Sequence, residues 1–368
     1  MSNFSLININ NNLEILDFIP DWIKITSMEG SVLFANKALR QKLGFDPQGM
    51  SLAMLKESVM GALFNADIAI SDFDNYNYPS SNIFFDGRHY NLVSAPISDK
   101  YGNIFAYVDI YRDDTEQKHL ERELLIKNET MQRDLELTKK IQESILPKQS
   151  RFGKLKVDYL YKPCEPISGD IFDVMTVDDG TISAYICDVS GHGVPAAMIT
   201  VFVRETMRNL VNPYSSSINL SELHQRFRNL RLEMENYLTI FHILIDIEAG
   251  KISYTNAGHN CPMFILRGTD VIKIISPGKP ITNYFNSIKY KEETIDFFPG
   301  DKILLITDGI TECKNKSNEE YGEERVESLI KRRPDDILAS LEKSLRQYGG
   351  QNRIDDMCAL LIEYDETR

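Results

Sequence analysis

The sequence predicts a multidomain α/β protein in which a long helix joins an N-terminal α+β domain to a larger α/β domain. Three observations carry this expectation. Residues 13–111 alternate short apolar runs with turn residues. Residues 113–147 are densely charged, with no glycine and no proline before Pro147. Beyond them, four carboxylate clusters each stand beside or at the end of an apolar run. A chain of 368 residues exceeds one ordinary core, so two or three domains of about 100–200 residues are expected.

In the first segment, Trp22 to Ile25 and Val32 to Ala35 read as strands split by Met28-Glu29-Gly30, and Asp86-Gly87 and Asp99 to Gly102 mark later turns. Asn36 to Leu43 reads as a short helix closed by Gly44, and Ser51 to Ala66 as a second. The order is two strands, helices, three strands. With Leu16-Asp17-Phe18-Ile19-Pro20-Asp21, Gly30, Ala35-Asn36-Lys37-Ala38 and Leu43-Gly44-Phe45, this pattern resembles a PAS domain, which implies a sensor with an antiparallel sheet over residues 10–112. Trp22, Phe34, Phe64, Phe84, Phe85 and Tyr90 suit core filling better than a ligand cavity. His89, beside Asp86-Gly87-Arg88, suits a hairpin better than a haem site. The sensor ligand is unknown.

Residues 113–148 read as a signalling helix ended by Pro147. Setting Leu124, Met131, Thr138 and Ile145 at heptad position d puts Asn128, Leu135 and Gln142 at a. Such a seam predicts a coiled-coil linker and a parallel homodimer, with a solvated single helix as the alternative.

Composition excludes several classes of function. Lys plus Arg total 41 against 54 Asp plus Glu, a formal net charge of -13, so the surface repels nucleic acid and anionic lipid. Cys164, Cys187, Cys261, Cys313 and Cys358 are odd in number and widely spaced, unlike a disulfide framework or thiolate zinc site. Met1 to Asn12 lacks the features of a secretory signal. The longest apolar-leaning runs, such as Tyr237 to Ile247, are too short to span a bilayer. A cytoplasmic protein with no membrane insertion is expected.

The chemistry-bearing clusters are Ser168-Gly169-Asp170-Ile171-Phe172-Asp173, Cys187-Asp188-Val189-Ser190-Gly191-His192-Gly193, Ile306-Thr307-Asp308-Gly309 and Arg353-Ile354-Asp355-Asp356. Several acids at the mouths of buried strands repel one another unless a cation compensates them. Hard oxygen donors without clustered Cys or paired His point to Mg²⁺ or Mn²⁺, and the number of acids suits two ions about 3.5–4 Å apart. The glycines permit tight turns beside an ion, and Pro195 marks a helix start after Gly193. Alone, each motif reads better as an ordinary turn, in which an Asp beside Gly accepts backbone hydrogen bonds.

Together with Ala257-Gly258-His259-Asn260, Pro299-Gly300-Asp301 and Glu312, the clusters occur in order across residues 168–356. That series resembles metal-dependent protein phosphatases of the PPM class, in the SpoIIE/RsbU-like branch. The resemblance implies two packed β-sheets flanked by helices over residues 149–368, with two divalent cations, Mn²⁺ or Mg²⁺. It implies metal ligation and catalysis through Asp188, Asp308 and Asp355, help from the Val189 carbonyl, and metal-bound waters held by Asp170 and Asp173. Asp355 is preferred to Asp356, which stays open as the alternative. The implied substrate is a phosphorylated regulatory protein such as an anti-sigma-factor antagonist, with an activating protein partner.

His192 and His259 read as structural rather than as general acids, and Asp301 as a turn residue outside the site. Rival readings are weaker. A sensor kinase would use His119 on the helix, but no glycine-rich nucleotide motif follows it. A nucleotide cyclase signature breaks down after Asp170, and a catalytically dead interaction module would be expected to have lost one of the acids.

Overall fold

A computed structural model describes residues 13–57, 80–210, 212, 214–232, 236–349 and 355–365. Met1 to Asn12, Phe64, the stretch to Ala66 and Arg353-Ile354 lie outside the described residues. The chain divides into two compact units with the boundary between Thr130 and Met131.

The first unit contains β1 (Trp22–Ser27), β2 (Val32–Ala35), α1 (Lys37–Leu43), α2 (Leu52–Lys56), β3 (Ser80–Phe85), β4 (Arg88–Ser98) and β5 (Ile104–Asp113). All strand pairs are antiparallel, in the order β2-β1-β5-β4-β3. Asp86 and Gly87 both have positive φ, 49° and 75°, as a two-residue hairpin between β3 and β4 requires. Asn36 is fully buried. Its side-chain oxygen caps α1 at Leu39 N, while its amide donates to the Leu16, Ile19 and Asp21 carbonyls. One residue thereby starts the helix and fastens the N-terminal segment.

Tyr90, Leu92 and Tyr111 form the core with Leu39 and Leu55, and partly buried Trp22 and Phe85 pack against it. Trp22 stacks on Tyr90 with ring centroids 4.6 Å apart. Core filling thus accounts for three of the six aromatic residues. Phe84 departs from that expectation: it is exposed and lies against His89 across the hairpin, because residues 84 and 85 of a strand face opposite sides.

The long helix α3 runs from Thr115 to Ile145. Leu124 and Met131 are exposed. Gln142, expected on the same seam, is instead buried within the second unit, where Ile145 also packs on the core.

The second unit contains β6 (Arg151–Phe152), β7 (Leu155–Lys162), β8 (Asp170–Thr176), β9 (Thr181–Val189), α4 (Val194–Leu210), α5 (Ser216–Asn229), β10 (Tyr237–Asp246), β11 (Lys251–Ala257), β12 (Met263–Arg267) and β13 (Asp270–Ile274). It continues with β14 (Ile281–Thr282), β15 (Glu293–Asp296), β16 (Lys302–Ile306), α6 (Asp308–Thr311), α7 (Gly322–Lys331), α8 (Ile337–Gly349) and β17 (Met357–Tyr364). Two antiparallel sheets result, β15-β11-β10-β9-β8 with β14 on β10, and β13-β12-β16-β17-β7-β6.

The alternation along β16 explains the layering. Ile303 and Leu305 join the core shared with β9 and β10, whereas Leu304 and Ile306 join a second core with Val326, Ile330, Leu338 and Leu341 of α7 and α8. Both faces are covered, so the strand reads as a continuous apolar run. Helices α4 and α5 contribute Ile199, Val203, Leu223 and Phe227 to the first core. Among the described residues no helix is long and apolar enough to cross a membrane.

Leu304→Ala and Leu305→Ala should therefore each destabilise the second unit by about 2–5 kcal/mol in urea unfolding. A large loss for only one of them would mean that one face of this sheet is open to solvent.

Candidate metal centre

Antiparallel pairing sets Asp170 at the start of β8 directly opposite Asp188 near the end of β9, with Thr239 of β10 on the other side of Asp188. In the facing sheet, β16 ends at Ile306 and Asp308 follows two residues later, after Thr307, opening α6. Asp355 and Asp356 immediately precede β17, the antiparallel neighbour of β16. The Thr307 hydroxyl crosses between the sheets: it donates to Asp170 Oδ2 at 2.7 Å and accepts from Cys358 N at 3.0 Å. Acids widely separated in sequence thereby share one end of the sandwich.

Burial raises Asp170 well above the ordinary carboxylate range, and the facing Asp188 adds to that shift. Asp188 is raised by burial, then by Asp308 and Asp355. Burial likewise raises Asp355 and Glu312, with Asp308 adding repulsion to each. Among the described residues no lysine or arginine forms an ion pair with Asp170, Asp188, Asp308 or Asp355; Arg204 and Arg208 turn to Asp173, and Arg267 to Asp301. A concentration of hard oxygen donors lacking a protein cation fits a divalent ion.

Backbone geometry fits as well. A Cβ on Gly169 would stand 2.9 Å from the Val189 carbonyl oxygen and 3.3 Å from that of Gly191, so only glycine lets these turns close. Gly309 is equally constrained, since a Cβ there would overlap the Asp356 carbonyl oxygen. The Asn260 amide donates to Asp308 Oδ2 at 3.0 Å. His259 is buried, with Nε2 2.8 Å from the Ile306 carbonyl oxygen, and burial lowers its pKa. It ties the Gly258-His259-Asn260 turn to the end of β16. His192 is largely exposed and faces Glu165 at 3.2 Å.

Asp173 departs from the sequence expectation. It is fully buried, and Arg208 binds both its oxygens at 2.6 and 3.0 Å. Three residues along a strand reverse the side-chain direction, so Asp173 meets α4 while Asp170 meets Thr307. It belongs to an ion pair, not to the acid cluster. The two neighbouring acids also differ: Asp355 is partly open to solvent and feels repulsion from Asp308, whereas Asp356 is buried and accepts from Cys164 N, Ser168 Oγ and Gly169 N.

The sequence reading held Thr307 and Asn260 only as motif members, kept Asp356 open as an alternative ligand, and placed Gln142 on a helix seam; it gave none of them a positioning role in this geometry. The Thr-Asp-Gly and Gly-His-Asn motifs marked their neighbourhood, but nothing local reveals which sheet each side chain crosses to.

Two packed sheets flanked by helices, with acids gathered at one end, define a PP2C-type architecture. The SiaA-PP2C domain of Pseudomonas aeruginosa shares this fold at a TM-score of 0.58 and 20% identity, over 65% of this chain and 99% of that domain. The family model for stage II sporulation protein E (SpoIIE) matches residues 178–365, and the chain belongs to that family. The match takes in Asp188, Asp308 and Asp355 and begins after Asp170. Among curated relatives, the phosphoserine phosphatase RsbP of Bacillus subtilis is 25% identical over 241 residues, 63% of this chain and 58% of RsbP. Protein IcfG of Synechocystis is 28% identical over 222 residues, 52% of this chain and 35% of IcfG. The chain thus spans little more than half of the first relative and about a third of the second.

Raised carboxyl pKa values make the metal-free fold bind protons more tightly than the unfolded chain, so this contribution to stability is present at low pH and lost as pH rises through the folded-state values. A cation bound at these carboxylates would replace those protons. Mn²⁺ should therefore raise the melting temperature more at about pH 8 than at about pH 5.5. Equal shifts at the two pH values would show that the ion does not compete with protons on these carboxylates.

Proposed function

We propose that the second unit is a metal-dependent protein serine/threonine phosphatase hydrolysing phosphoserine or phosphothreonine on a regulatory protein, such as an anti-sigma-factor antagonist. The observation carrying this reading is the gathering of Asp170, Asp188, Asp308 and Asp355 at one end of the sandwich, with no lysine or arginine paired to them among the described residues, in a SpoIIE-family chain. The name of RsbP, a phosphoserine phosphatase, supports the substrate class.

In this reading Asp188, Asp308 and Asp355, with the Val189 carbonyl, hold two divalent cations, Mn²⁺ or Mg²⁺, and Asp170 orients water. When bound, such ions offset charge on the phosphoryl group and activate water. The ester P–O bond breaks, the water oxygen joins phosphorus, and a water proton ends on the released serine or threonine oxygen. Thr307 and Asn260 keep Asp170 and Asp308 in place. Thiolate catalysis is disfavoured: Cys187 and Cys358 are fully buried with pKa values raised well above the ordinary thiol, and Cys164 is pushed up to about 12.

Control is assigned to the first unit, read as a PAS sensor acting through α3. Its β2-β1-β5-β4-β3 order, with helices between β2 and β3, supports that reading. In α3, Gln142 Nε2 donates to the Ser168 carbonyl at 2.7 Å, and its Oε1 accepts from Ser168 N at 2.9 Å. The helix is therefore fastened to the residues just before Asp170, and a shift of α3 would disturb that turn. Exposed Leu124 and Met131 support a parallel homodimer through the earlier part of α3. The protein is assigned to the cytoplasm, with an activating protein partner.

Phosphate release from a phosphoserine protein should require Mn²⁺ or Mg²⁺ and fall at least about 100-fold in Asp188→Asn and in Asp308→Asn. Full activity in either variant would overturn the site. Removing residues 1–112 should change the rate or its response to signal; an unchanged rate in every condition would remove the sensor from the control scheme.

A further inference from the structure

We infer that Asp356 is a positioning residue that locks the metal-bearing turns together and is not itself a metal ligand, an inference that rests on the metal centre proposed above. Its two carboxylate oxygens are already engaged. Oδ1 accepts from Cys164 N at 2.8 Å, and Oδ2 accepts from Ser168 Oγ at 2.7 Å and Gly169 N at 2.8 Å. Three donors converge on a buried carboxylate, and two of them are backbone N–H groups that cannot reverse their polarity.

The consequences spread to each turn around the acid cluster. Ser168, held by Asp356, in turn accepts from Asp170 N at 3.0 Å through its hydroxyl oxygen. Gly169, held by the same oxygen, accepts from Val189 N at 3.1 Å through its carbonyl. The Asp356 carbonyl fills the space that a Gly309 side chain would need, directly after Asp308. The Asp356 N–H donates to Asp355 Oδ1 at 2.8 Å and so orients the neighbouring acid. One residue therefore sets the spacing among the turns that carry Asp170, Asp188, Asp308 and Asp355. Adjacent carboxylates have separate tasks: Asp355 serves the cluster and Asp356 serves the backbone around it.

An asparagine at 356 keeps the shape but offers one acceptor oxygen, so its amide nitrogen would oppose a backbone N–H. The test uses the full chain, with Mn²⁺ titrated calorimetrically and bound ions counted by electron paramagnetic resonance. Asp356→Asn should bind as many ions as the native chain with affinity about 10–100-fold weaker, whereas Asp355→Asn should bind fewer. Ser168→Ala removes one donor and leaves the carboxylate intact. It should weaken affinity in the same direction without changing the number of ions, and it provides the readout if Asp356→Asn fails to fold.

Fewer ions bound to Asp356→Asn would make Asp356 a ligand and overturn the inference. So would a lowered melting temperature with native affinity, which is the mark of a merely structural role. A native chain that binds no divalent ion overturns the metal centre itself, an outcome distinct from either of those.

Discussion

The second unit is organised around an unfavourable concentration of negative charge. Asp170 and Asp188 face each other across two strands, Asp308 and Asp355 approach from the other sheet, and among the described residues Arg208 and Arg267 are paired with other acids. Carboxylates raised by burial and mutual repulsion destabilise a fold in which they must ionise. The apolar sandwich behind them, with both sheets covered by helices, supplies the stability that lets such an end exist. A bound cation would turn this liability into a function, and the glycine at 169 and the buried Thr307 make sense as parts that hold the acids for it.

Much of this organisation was legible in the chain. Turn residues such as Gly30 and Asp86-Gly87 mark hairpins through backbone conformations that few other residues adopt, so the first unit's strand order could be followed. Glycines next to acids flagged the clustered turns for a similar reason. Asp173 was not legible: its motif places it beside Asp170, but strand alternation sends it to Arg208 on a helix that the motif does not mention. Asp355 and Asp356 pose the same difficulty, because the roles of adjacent carboxylates depend on donors supplied from residues 164–169, nearly two hundred positions earlier.

Gln142 illustrates a third limit. A heptad pattern assigns it to a helix seam, yet its amide meets Ser168 and Thr200 inside the second unit. Hydrophobic periodicity reports which face of a helix is turned inward but not what it meets there. The exposed apolar residues earlier in α3 and the polar anchor at its end give one helix two kinds of surface. Its last turn belongs to the site's support.

The most direct measurement is anomalous diffraction at the manganese edge from crystals of this chain grown with Mn²⁺. Peaks within bonding distance of Asp188, Asp308 and Asp355, with none at Asp173, are expected. Manganese-saturated crystals with no peak beside Asp188, or with the ion lodged at Asp173, would contradict the assignment of this acid cluster as a metal centre.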